Sequence, residues 1–309
     1  MNAKAILSLI AISIFYVVKP TSAQSLTDSL PPGVIIDHIS KSKGVYIGSP
    51  SICILPNGNY VASHDEFGPK SNMDKSPKTK IFISIDKGEH WELVDSLRGQ
   101  FWSNLFFHNG ALYILGTDKQ HGNVIIRKSV DEGKTWTLPT DSVNGLILKG
   151  EYHTAPVPMV IHKGKIWRAV EYATAETKKW GERYSAAMLS APINSDLLNG
   201  KSWTRSNHLP YNKNYLNGNF DAWLEGNVLA TKNGKIVNIL RVHTSKLSDE
   251  YCAIVNVESN GKKIKFNPYN FYKMPGATKK FTIRYDKKSK LYWSIVNYVG
   301  RPYEGIKNE

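Results

Sequence analysis

The feature that most constrains the fold of this chain is a β-hairpin that recurs five times. In each copy an alternating apolar run is followed by a short turn and then by a second alternating run. The five turns are Pro56-Asn57-Gly58, His108-Asn109-Gly110, His162-Lys163-Gly164, Lys232-Asn233-Gly234 and Asp286-Lys287-Lys288-Ser289. Alternation with a period of two around an Asn-Gly turn is the strongest local signal for a hairpin. Repeats of about fifty residues match a propeller blade, so the sequence predicts a β-propeller.

A second pattern, Ser-x-Asp-x-Gly-x-x-Trp, lies between hairpins at two places. Its copies are Ser84, Asp86, Gly88 and Trp91, and then Ser129, Asp131, Gly133 and Trp136. Asp can bond amides of its own turn, Gly permits a positive φ, and Trp can bury itself between strands. A degenerate third copy spans residues 196–203. This pattern is the Asp-box, and here the chain resembles the sialidase (BNR repeat) superfamily.

More specifically, the stretches YIGSPSI, WSNLFFHNGALYILGT, YHTAPVPM, WRAVEY, WLEGN and KKFTIRYD are similar to secreted bacterial proteins labelled exo-α-sialidases. The resemblance covers nearly all of residues 24–309 and implies an all-β, sialidase-like six-bladed β-propeller. It also implies that the Asp-boxes are structural turns away from the substrate, so Asp86 and Asp131 receive no catalytic role. Only four outer strand pairs accompany the five hairpins, so we expect a propeller truncated within blade five.

The first 23 residues are typical of a secretory signal peptide. Lys4 precedes an apolar run over residues 5–18, and Thr21-Ser22-Ala23 offers small residues for cleavage. That run is too short for a membrane span. We therefore expect a secreted or periplasmic protein without a membrane span, with its propeller domain over residues 24–309.

Net charge indicates which classes of molecule this protein can bind, and the two cysteines raise the question of a disulfide. The formal charge of +14 falls to +12 without Lys4 and Lys19, and the excess Lys is spread over turns. Such a surface can attract nucleic acid or acidic polysaccharide, but no basic segment is interleaved with aromatics. We expect a monomer that binds a glycan and no nucleic acid, metal or cofactor. Although export permits a disulfide, Cys53 and Cys252 lie in apolar strand patterns and are predicted to be two buried thiols that are not paired.

Candidate site residues follow from counting outward from each turn, because the open ends of the inner hairpins meet at the central funnel. Glu225 and Arg241 are equidistant from Asn233 and should be cross-strand neighbours. Asp65 falls opposite Pro50 by the same count. We predict Asp65 and Glu225 as catalytic residues and Arg241, Arg168, Glu171, Trp102 and His153 as substrate-binding residues. The resemblance to sialidases adds Arg284 to the substrate-binding residues.

This set of residue types suits a glycosidase. Two carboxylates flank the scissile bond, one protonated as acid and the other ionised as base or nucleophile. Trp102 offers a sugar ring an apolar face, and Arg binds carboxylates with two parallel bonds. The alternative is that Glu225 and Arg241 form only a structural ion pair and that His153 is a hydrogen-bonded structural residue.

The resemblance to sialidases implies an arginine triad for the sialic acid carboxylate. Glu225 and Arg241 resemble the family's glutamate and second arginine, and Arg284 resembles the third. The place of the first arginine reads Gly48-Ser49-Pro50-Ser51-Ile52, without Arg. A tyrosine nucleophile cannot be assigned between Tyr285 and Tyr298. Three functions stay open: a sialidase-like glycoside hydrolase acting on terminal sugars, a glycan-binding propeller without catalysis, and an inactive truncated product.

Overall fold

The computed structural model describes residues 33–173, 176–245 and 249–297. The predicted signal peptide therefore lies outside the described residues. One compact unit begins at Ile35 and contains all of the described strands. Within the described ranges the chain is all-β, with antiparallel sheets and no α-helix. Its 3-10 helices are Lys41–Lys43, Gly200–Ser202, Tyr215–Gly218 and Pro268–Asn270. Among these described residues there is no helix with the length and apolar character needed to cross a membrane.

The first blade is a four-stranded antiparallel meander. Its strands are β1 (Tyr46–Ile54), β2 (Tyr60–Phe67), β3 (Lys78–Ser84) and β4 (Glu92–Arg98), in that order. The predicted hairpin joins β1 to β2. The innermost strand is β1, and each later strand lies further out.

The second and third blades share one continuous sheet. The second contains β5 (Phe101–His108), β6 (Ala111–Thr117), β7 (Gly122–Ser129) and the start of β8 (Leu146–His153). The third contains β9 (Val160–His162), β10 (Lys165–Tyr172), β11 (Ser185–Pro192) and β12 (Thr204–Arg205). The sheets join because β8 pairs with β7 at Leu146, Leu148 and Tyr152 and with β10 at Tyr152 and His153. The inner strand of the third blade is thus broken into the end of β8 and the short strand β9, and only β9 leads into the predicted turn at His162-Lys163-Gly164.

The fourth blade is a meander, and the last described strands form one hairpin. The fourth contains β13 (Ala222–Ala230), β14 (Ile236–His243), β15 (Tyr251–Val257), β16 (Ile264–Lys265) and β17 (Phe271–Lys273). The hairpin of the fifth blade consists of β18 (Phe281–Asp286) and β19 (Leu291–Val296). All five predicted hairpins are present, and the prediction of an all-β propeller is confirmed.

The hydrophobic core lies between successive blades. Between the first two, Ile81 and Val61 of one sheet pack with Leu112 and Ile114 of the next, and all four are buried. Similar clusters join the second blade to the third, the third to the fourth and the fourth to the fifth. Sheets that are apolar on both faces need a neighbour on each side, which is what a propeller supplies.

Inner strands of neighbouring blades are also tied by hydrogen bonds. The amide of Leu105 in the second blade donates to Ser51 Oγ in the first at 3.0 Å. The amide of Ile283 donates to Asn227 Oδ1 at 3.2 Å, which ties the fifth blade to the fourth. These bonds hold the inner strands around a common axis.

The two Ser-x-Asp-x-Gly-x-x-Trp turns have the same local geometry. Asp86 Oδ1 accepts from the His90 amide at 2.9 Å, and Asp131 Oδ1 accepts from the Thr135 amide at the same distance. The Trp91 indole donates to the Gly88 carbonyl at 3.1 Å, and the Trp136 indole donates to the Gly133 carbonyl at 2.9 Å. Both indoles are half-buried rather than fully buried as expected, because each packs against its own turn at the outer edge of a blade.

The two cysteines carry free thiols. Cys252 is buried and Cys53 is half-buried. Burial raises the pKa of the Cys252 thiol to about 11. The prediction of a buried, unpaired thiol is confirmed for Cys252, whereas Cys53 is unpaired but only half-buried.

Candidate active site

Three inner strands carry the same irregularity at their open ends. Pairing shifts between Gly48 and Ser51 in β1, between Phe101 and Asn104 in β5, and between Leu224 and Asn227 in β13. Each bulge contains one non-glycine residue with positive φ: Ser49 at 51°, Trp102 at 50° and Glu225 at 42°. Such residues cost roughly 1–3 kcal/mol each and are concentrated at functional sites. The repetition marks this end of the propeller as the candidate site.

At the bulges, the observed strand pairing differs from the pairing predicted by counting residues outward from the turns. The partner of Arg241 is Leu224 rather than Glu225. Similarly, the partner of Asp65 is Gly48 rather than Pro50. A bulge inserts one unpaired residue, which accounts for the shift at Arg241 and for one of the two residues at Asp65. The other residue at Asp65 comes from the turn, which is centred on Asn57, as the pair Ser51 and Ser63 shows.

Glu225 is held as a carboxylate by two cations. Arg241 Nη1 donates to its Oε2 at 3.1 Å, and Lys280 Nζ lies 2.9 Å from its Oε1. The Glu225 side chain is only 7% exposed, and burial alone would raise its pKa. The charges of Lys280, Arg241 and His153 outweigh burial and hold the pKa of Glu225 below its usual value. Glu225 is therefore an ionised carboxylate at neutral pH.

Asp65, in contrast to Glu225, lies in a buried environment that raises the pKa of its carboxyl. It is 1% exposed, its Oδ2 accepts from the Trp102 amide at 2.7 Å, and its Oδ1 lies 2.5 Å from Thr79 Oγ1. Burial raises the pKa of Asp65 to about 7, because these hydrogen bonds offset only part of the desolvation penalty.

Hydrogen-bond counting supports the protonated form of Asp65 independently. Thr79 Oγ1 lies 2.7 Å from the Gln100 carbonyl as well as 2.5 Å from Asp65 Oδ1. A hydroxyl has one hydrogen and cannot donate to both oxygens. With a proton on Asp65 Oδ1, Asp65 donates to Thr79 and Thr79 donates to the Gln100 carbonyl, so these three groups are all hydrogen-bonded.

Glu171, His153 and Trp102 form a contiguous group beside Glu225. His153 Nδ1 lies 3.0 Å from Glu171 Oε2, and the Gly226 amide donates to Glu171 Oε1 at 3.2 Å. The rings of His153 and Trp102 are edge to face, with centroids 4.5 Å apart. Glu171 is completely buried, so its carboxyl lies behind the aromatic rings.

Lys280 is a site residue that the sequence did not predict. Its ammonium bonds Glu225, and its charge also lowers the pKa of Asp65. Asp65 and Glu225, in the first and fourth blades, are thus both within electrostatic reach of one ammonium. Lys280 directly precedes β18, at the open end of the fifth hairpin. Counting residues outward from the turn between β18 and β19, as was done for Glu225, would therefore identify it.

His121 and Tyr184 were not predicted either, and they extend the aromatic wall. His121 Nε2 lies 3.0 Å from the Tyr184 hydroxyl, and the Tyr184 ring centroid lies 5.0 Å from that of His153. Burial, together with the charges of His153 and Arg183, lowers the pKa of His121 to about 4. Burial raises the pKa of Tyr184 to about 12, with a smaller contribution from Glu171. Both side chains are therefore neutral at neutral pH.

Two of the predicted arginines do not join this group. Arg168 is buried and donates to the carbonyls of Ala155 and Ala169, at 2.5 and 3.1 Å, so it supports the broken inner strand of the third blade. Arg284 is exposed in the middle of β18. Tyr285, one of the two tyrosines considered as nucleophile, is 43% exposed, and Tyr298 lies outside the described residues.

Potential metal ligands converge away from the funnel. Ligand atoms of Asp86, Glu89 and His90 lie within 4.8 Å of one another at an outer turn. Asp86 Oδ2 is bonded to His90 Nδ1 at 2.6 Å, and Asp86 also accepts the His90 amide. The cluster is exposed and is explained by the turn itself.

A cavity of 410 Å³ lies near the hairpin turns of the third and fourth blades and not at the cluster of titratable groups. It is lined by residues such as His162, Lys163 and Lys235. We place the candidate active site at the bulged end of the propeller, because the carboxyls with opposite pKa shifts lie there.

Comparisons with known proteins identify the fold. No family model matches the chain, and no curated protein matches it significantly. An α-L-arabinanase from Penicillium chrysogenum, solved with arabinobiose, is 14% identical to this chain, with a TM-score of 0.51. The match covers 81% of this chain and 75% of the arabinanase chain. The GH93 α-L-arabinofuranosidase of Fusarium graminearum, also solved with arabinobiose, is 11% identical and covers 83% and 76%, with a TM-score of 0.52. A protein of unknown function from Dyadobacter fermentans is 15% identical and covers 80% and 74%, with a TM-score of 0.52.

At these identities the likeness establishes the fold alone. The architecture is shared with an α-L-arabinanase and an α-L-arabinofuranosidase and is not specific to sialidases.

Proposed function

We propose that this protein is a glycoside hydrolase that acts on terminal sugars of glycans, with Asp65 and Glu225 as its catalytic carboxyls. The observation that carries the proposal is that the two environments drive the pKa values apart, raising that of Asp65 to about 7 and lowering that of Glu225. A pair of carboxyls with opposite shifts is the pattern of an acid and a base in glycosidases.

In this mechanism the Asp65 carboxyl gives up its hydrogen bond to Thr79 when the sugar binds. Its proton then passes to the glycosidic oxygen as the bond to the anomeric carbon breaks. Glu225 either attacks the anomeric carbon or accepts a proton from the water that attacks it. Arg241 and Lys280 keep Glu225 ionised in both versions. Trp102 is only 7% exposed, so its contribution to sugar binding is limited to the part of the ring that its aromatic neighbours leave open.

The cations of the site favour an uncharged sugar. Arg241 is engaged by Glu225 and by the Thr278 carbonyl at 2.9 Å, and Arg168 is bonded to backbone carbonyls. A sugar carboxylate would have to compete with Glu225 for Arg241 and Lys280. Arabinobiose bound to two proteins of the same fold supports including arabinosides among the candidates. The finer proposal, an exo-α-sialidase-like specificity, requires that a sialic acid carboxylate bind Arg241 and Lys280 in competition with Glu225.

The test is hydrolysis of uncharged, uronic and sialylated glycosides by wild type, Asp65→Asn and Glu225→Gln. We expect each substitution to lower kcat/KM at least a hundredfold, the lower end of general acid–base contributions. For wild type, kcat/KM should fall above about pH 7, because Asp65 then loses the proton it must donate. Glu66→Gln is the matched control: Glu66 follows Asp65 on β2 but pairs with Lys78 at 3.2 Å.

Unchanged rates in both variants would remove these residues from the mechanism. Efficient release of sialic acid would establish the sialidase-like form. Binding of a glycan without hydrolysis by wild type would favour the alternative function, a glycan-binding propeller.

A further inference from the structure

The cavity near the hairpin turns of the third and fourth blades has the features of a second binding site. Its volume is 410 Å³, within the range of small-ligand pockets. Exposed or half-buried His162, Lys163 and Lys235 line it together with buried Trp167, Ile236 and Val257. We call this the basic cavity.

Two ammonium groups of the basic cavity have no protein partner. In the ranges that the structure describes, Lys163 and Lys235 make no ion pair, and their ammoniums donate no hydrogen bond. Lys163 Nζ lies across the turn of the next blade, 3.1 Å from the place where a Cβ on Gly234 would be. The nearby acidic residue Glu258 is engaged by Lys265 at 2.9 Å. The cavity therefore presents uncompensated positive charge.

The wall of the basic cavity is fixed by hydrogen bonds within the third blade and between the third and fourth blades. His162 Nε2 donates to the Gly234 carbonyl at 3.1 Å, and the Trp167 indole donates to the His162 carbonyl at 3.2 Å. Lys165 Nζ donates to the Asn260 carbonyl at 2.9 Å. A binding site whose wall is already ordered loses little entropy when it is occupied.

The equivalent place between the first and second blades shows that this is not a general property of the propeller. The cavity there measures 240 Å³, and its one charged lining residue is Glu132. Glu132 accepts hydrogen bonds from Asn57 Nδ2 at 2.6 Å and from Asn59 Nδ2 at 2.8 Å. The one charged group of this second cavity is therefore already hydrogen-bonded within the protein.

We propose that the basic cavity binds an anionic oligosaccharide through a carboxylate or sulfate group. The ammoniums of Lys163 and Lys235 would bond the anion with charge-assisted hydrogen bonds. The apolar side chains of Ile236 and Val257 offer a surface for the sugar ring beside it. The site is distinct from the funnel, and the proposal does not depend on catalysis there.

The test is calorimetric titration of the whole protein with an oligogalacturonate, a sulfated oligosaccharide of similar length, inorganic sulfate and an uncharged oligosaccharide. We expect one or both anionic oligosaccharides to bind more tightly than inorganic sulfate and the uncharged sugar not to bind here. Which of the two binds tells carboxylate from sulfate recognition. The double variant Lys163→Ala/Lys235→Ala should weaken binding at least tenfold.

The matched control is Lys287→Ala/Lys288→Ala, which removes the same charge from exposed positions in the turn between β18 and β19. It should change affinity less than twofold. Equal weakening by both double variants would show diffuse surface attraction and overturn the proposal. Failure of wild type to bind any anionic oligosaccharide would overturn it as well. Urea unfolding of both variants checks that the fold is unchanged, and Glu225→Gln should bind as wild type does, whatever its hydrolytic activity.

Discussion

The buried carboxyl of Asp65 should make the stability of this protein fall as the pH rises from 5 to 8, and Asp65→Asn should remove that part of the fall. The folded pKa, about 7, lies above the ordinary value of 3.8. The folded state therefore holds a proton that the unfolded state has released between these two values. Stability from this group is complete below the unfolded pKa and is lost as the pH rises through the folded pKa.

The size of the effect is set by the shift in pKa. At 1.36 kcal/mol per pKa unit, the full shift corresponds to about 4 kcal/mol. Between pH 5 and pH 8 the loss is roughly 2.5 kcal/mol, because the unfolded carboxyl is already ionised at pH 5 and the folded carboxyl ionises near pH 7.

Asp65→Asn is suited to this test because an amide reproduces the bonds of the protonated acid. Its Nδ2 can donate to Thr79, which then donates to the Gln100 carbonyl, and its Oδ1 can accept from the Trp102 amide. The substitution therefore removes the ionisation and keeps these three hydrogen bonds, with only the second hydrogen of the amide nitrogen lacking an assigned acceptor. Other titrating groups, such as His121, are common to both proteins and cancel in the comparison.

The assay is urea unfolding of wild type and Asp65→Asn at pH 5 and pH 8. The two proteins should differ more at pH 8, with the variant gaining roughly 2.5 kcal/mol relative to wild type between the two pH values. Glu66→Gln controls for the removal of a neighbouring carboxyl. If Asp65→Asn kept the pH dependence of wild type, the proton on Asp65 and the acid role built on it would both be wrong.

Two further predictions concern stability. Thr79→Val leaves Asp65 and the Gln100 carbonyl without the hydroxyl between them, and should lower the free energy of unfolding by about 1–3 kcal/mol, measured at pH 5. Gly88→Ala and Gly133→Ala place a Cβ at φ 95° and 94°. The nearest atom is 3.6 Å away at Gly88 but 3.2 Å at Gly133, where it belongs to Ile81. Both should cost about 1–2 kcal/mol in urea unfolding, with the larger loss at Gly133, and equal losses would show that backbone strain dominates.

The sequence alone determined the repeated local structure of this protein. The five hairpins lie where the period-two alternation and the short turns predicted them. The turns around Asp86 and Asp131 bond as their residue types require. Each of these features depends on residues only a few positions apart, so it is encoded in a short segment.

Tertiary structure decided the register and the charges of the candidate site. The bulge at Glu225 shifts the strand by one residue, and nothing in the local pattern around Asn233 signals it. Lys280 meets Glu225 from another blade, and burial sets the pKa of Asp65. These features depend on which side chains the packed blades bring together and on how much water they exclude, which a local sequence pattern does not contain.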